Sequence, residues 1–254
     1  MARWIRKAHR YLGLIGGLQL LAWALGGVYF SWNPIARVRG EHLAAPPESW
    51  SGPPRGLASP DQVLAAFYAA RSDTPQVLVL TLRPLLGKPV YEIAYRDRGG
   101  KLRYALADAH TARLRPPIRR EEALQIAQRD FLPQASVRRI SWIERLPPGS
   151  EYRGKELPAW QVEFEHPTGT RLYVSAERGL VTARRNDTWR VFDFFWMLHI
   201  MDYRNRSDFN HWLLRVFSVL GLLTVLSGFV LGIATSPRLR RPLGRFRPLS
   251  ARGR

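Results

Sequence analysis

Two long uncharged apolar stretches stand near the two ends of the chain. The first runs from Tyr11 to Trp32 and the second from Val216 to Ala234. An α-helix rises about 1.5 Å per residue, so about 20 apolar residues cross a hydrocarbon layer of about 30 Å. The pattern therefore predicts two transmembrane helices, over residues 11–33 and 211–235.

Between these stretches, a short amphipathic helix followed by alternating apolar and polar runs occurs twice. The first helix is predicted to begin at Ser59-Pro60-Asp61, a typical capping sequence, and the second covers 120–131. Runs with a period of two predict strands at 76–82, 90–95, 102–107, 136–144, 159–164 and 170–174. The repeat length of about 65 residues predicts a duplicated α+β unit, with one helix on an antiparallel sheet in each copy.

Composition predicts the remaining segments of the chain. The strongly aromatic run Trp189–Tyr203 is too short to span a membrane, so we expect an amphipathic helix lying at the outer membrane surface. The predicted segments are a basic tail at 1–10, a Pro/Gly/Ser-rich linker at 40–58, the repeats at 59–116 and 117–187, the interfacial helix at 188–206 and a second basic tail at 236–254.

The formal net charge of +19 is concentrated in the tails. Four basic residues precede the first apolar stretch and seven follow the second, with no acidic residue among them. Basic flanks of this kind predict that both termini lie in the cytoplasm and the central region outside it. They also favour contact with anionic lipid, and we expect no nucleic-acid partner.

The chain contains no cysteine, which excludes disulfides, thiolate metal sites, iron–sulfur clusters and covalent haem attachment. Three histidines, His9, His199 and His211, lie at the predicted membrane boundaries. Imidazoles at such positions are candidate axial ligands of b-type haem iron. Asp193 or Asp202 would then be the carboxylate that orients His199.

Geometry limits how these histidines could share haem. His9 is predicted at the cytoplasmic face and His199 with His211 at the outer face, about 30 Å apart, so one haem cannot join the two sets. A homodimer would pair His9 with its own copy, and His199 with His211. Glycine stripes that would allow close helix contact in such a dimer consist of Gly13, Gly17, Gly27, Gly221, Gly228 and Gly232. Helix packing and contact with headgroups are the alternative roles for the same residues.

Several short motifs resemble the PepSY family. They are the helix Glu122–Ala127, the strand Ala159–Phe164 and the run Val174-Ser-Ala-Glu-Arg-Gly-Leu-Val181; the first copy has Ala112 where the family usually has glycine. The flanking segments His9–Leu14 and Thr224–Gly228 resemble PepSY-associated transmembrane proteins. The resemblance implies a bacterial inner-membrane protein with a periplasmic tandem PepSY pair. Some larger relatives, with four spans, bind b-type haem through membrane histidines and reduce ferric siderophores.

Two functions follow as hypotheses. The first is a haem-linked electron-transfer or ferric-complex reductase component that delivers electrons to the periplasmic side. The second is a periplasmic binding module without enzymatic activity, which binds or inhibits a peptidase or another envelope protein, because PepSY domains resemble protease propeptide elements.

Overall fold

The computed structural model describes residues 2–236, so the predicted basic tail lies outside the described residues from residue 237 on. The chain forms two compact units. We call Met1–Tyr29 together with Phe194–Arg254 the helical unit, and Phe30–Asp193 the sheet unit.

Two long apolar helices dominate the helical unit. Helix α1 covers Ala2–Trp32, which includes most of the predicted basic tail, and helix α6 covers Trp212–Thr235. In their most apolar parts only 17% and 11% of the residues are buried. A helix that is apolar all round and still exposed is suited to lipid rather than to the core of a water-soluble protein. Both helices are long enough to cross a membrane, as the sequence predicts.

The sheet unit contains two antiparallel sheets and their helices. The elements of this unit are α2 (Ile35–Val38), a 3-10 turn (Glu41–Leu43), α3 (Pro60–Ala69), β1 (Gln76–Leu85), β2 (Lys88–Arg96), β3 (Leu102–Asp108), α4 (Arg120–Asp130), β4 (Val137–Ile143), β5 (Ala159–Phe164), β6 (Arg171–Ser175) and β7 (Val181–Arg185). The first sheet has the strand order β1-β2-β3, and the second has the order β4-β5-β6-β7. Helix α5 follows at Asp187–Ile200. Two membrane-length helices combined with an α+β region confirm the coarse fold prediction.

Strand β2 is buried on both faces. Tyr91, Ile93 and Tyr95 pack in one cluster with Val63 and Phe67 of α3. On the other face, Val90 joins a core that α4, β5 and β6 of the second repeat complete. The two repeats therefore share the second of these hydrophobic clusters. Because both faces of β2 are covered, its sequence is nearly continuously apolar.

A buried ionic cluster also joins the repeats. Glu92 of β2 is 7% exposed, and its carboxylate accepts hydrogen bonds from Arg83 of β1 and from Arg178 in the β6–β7 turn. A carboxylate buried to this degree needs such partners, since removing them would leave an uncompensated charge.

The same turn closes both repeats. In the first, Ala112 N–H donates to Asp108 O and Asp108 N–H to Arg113 O; in the second, Gly179 N–H donates to Ser175 O and Ser175 N–H to Leu180 O. Ala112 and Gly179 both have a positive φ, 57° and 65°. The equivalence supports an internal duplication, and it shows that alanine keeps the backbone conformation that glycine has at the matching position of the second repeat.

The sequence missed two features of the second repeat. Residues 181–185, where the apolar pattern predicts no strand, form the edge strand β7. The segment between β4 and β5 covers the outer face of the second sheet, where the fully buried Tyr152 stacks on Tyr173 with ring centroids 4.4 Å apart.

We predict that Gly179→Ala destabilises the chain more than Gly100→Ala does. Both glycines have positive φ, which costs alanine about 1 kcal/mol, but an added methyl at Gly179 would lie 3.0 Å from Ile118 Cδ1 and 3.1 Å from Leu85 Cδ1, whereas nothing lies within 4 Å at Gly100. Overpacking adds about 1–3 kcal/mol. Thermal unfolding of the two detergent-solubilised variants measures the difference. Equal decreases in melting temperature would contradict close packing at Gly179.

Candidate functional site

His9 lies inside the helical unit in a defined hydrogen-bond chain. Its Nδ1 is 2.8 Å from Ser227 Oγ, and Ser227 Oγ donates to Thr224 O at 2.8 Å. A serine hydroxyl has a single proton. With that proton on Thr224 O, Nδ1–H of His9 must donate to Ser227 Oγ. This tautomer satisfies all three groups and leaves the lone pair on Nε2.

The His9 imidazole lies beside the apolar part of α6. Ser227 precedes the last residue of α6, Thr235, by eight positions, which is about 12 Å along the helix. Gly228 makes room for the ring, because a methyl there would lie 3.2 Å from His9 Cε1. An apolar groove of about 530 Å³ runs along this part of α6, past Gly228, Phe229 and Gly232. Among residues 2–236, no hydrogen-bond partner of Nε2 is found.

Three side chains bind the last carbonyls of α5. Gln19 Nε2 donates to Leu198 O at 2.7 Å, Trp23 Nε1 to His199 O at 2.9 Å and His211 Nε2 to Ile200 O at 2.8 Å. The last four carbonyls of a helix have no partner within the helix. The 9% exposed Gln19, a polar residue inside an apolar helix, is thereby satisfied.

Both ring nitrogens of His211 are engaged. While Nε2 donates to Ile200 O, Nδ1 accepts from Leu214 N–H at 3.4 Å and caps the N-terminus of α6. Iron ligation by His211 would require the loss of one of these bonds. In this structure His211 therefore holds α5 and α6 together, and its predicted ligand role stays a prediction.

His199 has an exposed side chain between two tryptophans. Its ring centroid lies 5.9 Å from that of Trp23 and 6.4 Å from that of Trp196, and it is nearly parallel to the latter. Asp193, one of the two carboxylates predicted to orient it, pairs with Arg153 within the sheet unit. The other, Asp202, binds backbone.

Asp202 organises the loop between α5 and α6. Met201 has a φ of 57°, which ends α5 at Ile200, six residues before the predicted end at 206. The Asp202 carboxylate then accepts the backbone N–H groups of Arg204, Asn205, Ser207 and Asp208. Its slight burial works to raise the pKa, but these four donors outweigh it and lower the pKa of Asp202 to about 2.

The glycines of the predicted dimer stripes fall into two groups. Gly221 and Gly228 make contacts within the chain, since a methyl at Gly221 would lie 3.3 Å from Leu20 Cδ2 and from Trp23. The other four have nothing within 4 Å of an added methyl: Gly13, Gly17, Gly27 and Gly232. The buried positions of α1 are Gly16, Gln19 and Gly26, none of which belongs to the predicted stripe.

In the sheet unit, Glu151 ties the segment before β5 to β6 and to α5. Its carboxylate accepts from Tyr173 Oη at 2.6 Å, from Arg171 at 3.2 Å and from Arg190 at 3.1 Å. Burial works to raise the pKa of Glu151, but the Tyr173 hydrogen bond and the two arginines lower it below its ordinary value. Burial is the largest cause that raises the pKa of Tyr173, and the hydrogen bond to the Glu151 carboxylate raises it further.

A second cavity, of about 520 Å³, lies within the sheet unit. The predicted linker forms one wall with residues 45–48, and the β1–β2 turn, α4 and the start of β7 form the others. The linker is therefore partly bound to the second repeat, and Ala45 N–H donates to Asp130 O at 2.7 Å.

Comparison of the chain with protein-family models, curated proteins and solved structures gives no match. Among residues 2–236, no cluster of three or more potential metal-ligating side chains is found.

We predict that Asp202→Asn lowers the melting temperature near neutral pH, because an amide is a weaker acceptor for the four loop N–H groups. A folded-state pKa of about 2 against an ordinary 3.8 gives stability that is present above pH 3.8 and is lost as the pH falls through about 2. The difference between variant and native chain should shrink over that range. Asp208→Asn, which affects one backbone bond, is the control; a pH-independent difference would contradict the assigned role.

Proposed function

We propose that this chain is a small membrane electron-transfer protein that holds b-type haem iron through His9 and passes electrons to an acceptor on the periplasmic side. The observation that supports it is the His9 imidazole, whose Nδ1 is fixed by Ser227 while its Nε2 has no partner in residues 2–236. A neutral imidazole with one nitrogen hydrogen-bonded and the other available is the form that binds iron.

The surrounding residues suit this role. Ser227 and Thr224 fix the tautomer and the ring plane of His9, and Gly228 leaves space beside the ring. The apolar groove along Gly228 and Gly232 would exclude water from a flat macrocycle. Bound haem would supply a reversible one-electron couple. His9 of a second copy would also hold the iron, in a homodimer formed through Gly13, Gly17, Gly27 and Gly232, where an added methyl would meet no neighbour within residues 2–236.

The proposed location is a bacterial inner membrane, with both termini in the cytoplasm and the sheet unit in the periplasm. The four basic residues before the first apolar stretch and the seven after the second support this orientation. An acceptor such as a ferric complex or a periplasmic protein would then meet the sheet unit.

We predict a Soret band in the full-length protein purified in detergent from haem-supplied cells. His9→Ala should reduce haem occupancy at least tenfold, whereas His211→Ala should retain haem and lower the melting temperature. Ser227→Ala should weaken haem affinity about 10–100-fold, as loss of an orienting partner does.

The matched control is Ser218→Ala on the same helix, since Ser218 Oγ donates only to Leu214 O. A colourless native protein would contradict the proposed function. Haem retained by His9→Ala at full occupancy would reject His9 as the ligand.

The absence of cysteine makes the orientation measurable by labelling. A membrane-impermeant maleimide should modify Lys101→Cys, in the exposed turn between β2 and β3, in cells whose outer membrane is permeabilised. It should modify Ala8→Cys, on the exposed side of α1, only after lysis. The opposite pattern would invert the proposed topology.

A second candidate function is a periplasmic binding module for a peptidase or another envelope protein. The specific observation in its favour is the 520 Å³ cavity of the sheet unit, which has an apolar floor and arginines in its walls. Cavities of about 300–1,000 Å³ with few polar groups are typical ligand sites.

A further inference from the structure

Residues 45–48 of the predicted linker, Ala-Pro-Pro-Glu, form one wall of the sheet-unit cavity; we call them the strap. The chain before the strap is fixed to the second repeat. Leu132 N–H donates to Leu43 O at 3.0 Å, and Ala45 N–H donates to Asp130 O at 2.7 Å.

The far end of the strap is held by its carboxylate. Glu48 Oε2 accepts Leu86 N–H at 3.0 Å, and Oε1 accepts Gly87 N–H at 2.5 Å. Leu86 and Gly87 have φ values of 52° and 81°, so the tight β1–β2 turn points two successive N–H groups at one anion. Arg129 Nη1 lies 3.6 Å from Glu48 Oε1. These three groups form a carboxylate clamp.

Between Ala45 and Glu48 the strap is weakly attached. Pro46 and Pro47 are exposed and have no N–H to donate. Within residues 2–236, the hydrogen bonds and ion pairs of the strap are the Ala45 bond and those of Glu48. The Glu48 side chain is 37% exposed, so its ion pair with Arg129 contributes little. Release of Pro46–Glu48 therefore breaks only the clamp.

Beneath the strap the cavity is apolar. Leu85 and Ile126 are 4% and 9% exposed, and Val181 completes the floor. Arg83 and Arg184 stand in the walls and are paired with Glu92 and Asp130. An occupant would place an apolar side chain on this floor and an anion at the clamp.

We propose that the cavity is a binding site for an extended peptide segment that carries a carboxylate next to a proline or another apolar residue, and that the strap occupies the clamp as an internal substitute for it. This gives the second candidate function a site and a ligand class, and it does not depend on haem. The exchange is balanced, because an incoming carboxylate forms the same two N–H bonds and the same contact with Arg129 that Glu48 gives up. A tethered strap competes at a local concentration in the millimolar range.

The test uses the full-length protein in detergent and fluorescent peptides read by polarisation. The probe is acetyl-Ala-Ala-Pro-Pro-Glu-amide, compared with the same peptide ending in Gln-amide and with one ending in Gln and a free carboxyl group. Glu48→Gln should bind the Glu peptide at least tenfold more tightly than the native chain does, and should bind the Gln-amide peptide at least tenfold more weakly than the Glu peptide. The third peptide separates a side-chain carboxylate from a C-terminal one.

Adding Arg129→Ala to the Glu48→Gln chain should weaken its binding of the Glu peptide several-fold. Glu41→Gln, which changes an exposed acid outside the strap, should leave the affinity of the native chain for the peptide unchanged. Hydrogen exchange of residues 49–56, next to the strap, should rise in Glu48→Gln, and unchanged melting of that variant shows that it is folded. Equal affinity for the Glu and Gln-amide peptides, or no binding to a folded Glu48→Gln chain, overturns the site. If the native chain still binds an envelope protein, the second function stands without this site.

Discussion

Polar groups that lie among apolar helices must find hydrogen-bond partners, and this constraint accounts for most of the helical unit. The last carbonyls of α5 would be unsatisfied, and Gln19, Trp23 and His211 satisfy them one each. Each of those side chains is satisfied by the same bond. His9 differs, because only its Nδ1 has a hydrogen-bond partner within residues 2–236. Its Nε2 is available, and the proposed ligand role is therefore given to His9.

The sheet unit depends on a different device, the burial of the β1–β2 hairpin between α3 and the second repeat. Leu85 contributes to the shared core, and Glu92 forms the buried ion pairs with Arg83 and Arg178. Because the hairpin is fixed in this way, its turn holds two backbone N–H groups in one direction. The carboxylate clamp on Glu48 follows from that rigidity, so the proposed peptide site and the stability of the repeats share one element.

Long-range contacts explain where sequence reasoning was incomplete. The residues of β7 were not recognised as a strand because an edge strand of five residues that includes Arg184 and Arg185 has a weak apolar pattern. The linker composition predicts a loop, but its attachment to the end of α4 rests on the backbone bonds of Leu43 and Ala45, which carry no side-chain signal. The predicted glycine stripe on α1 consists of Gly13, Gly17 and Gly27, whereas Gly16, Gln19 and Gly26 are the buried positions.

The sequence by itself determined the two membrane-length helices and, apart from β7, the helix-and-strand order of both repeats, because apolar periodicity is a local property of the chain. It also selected His9, His199 and His211 as the histidines to consider. Only the tertiary structure decided their hydrogen-bond partners, since Ser227 for His9 or the Ile200 carbonyl for His211 depends on which helices meet and at what height. No local pattern contains that information.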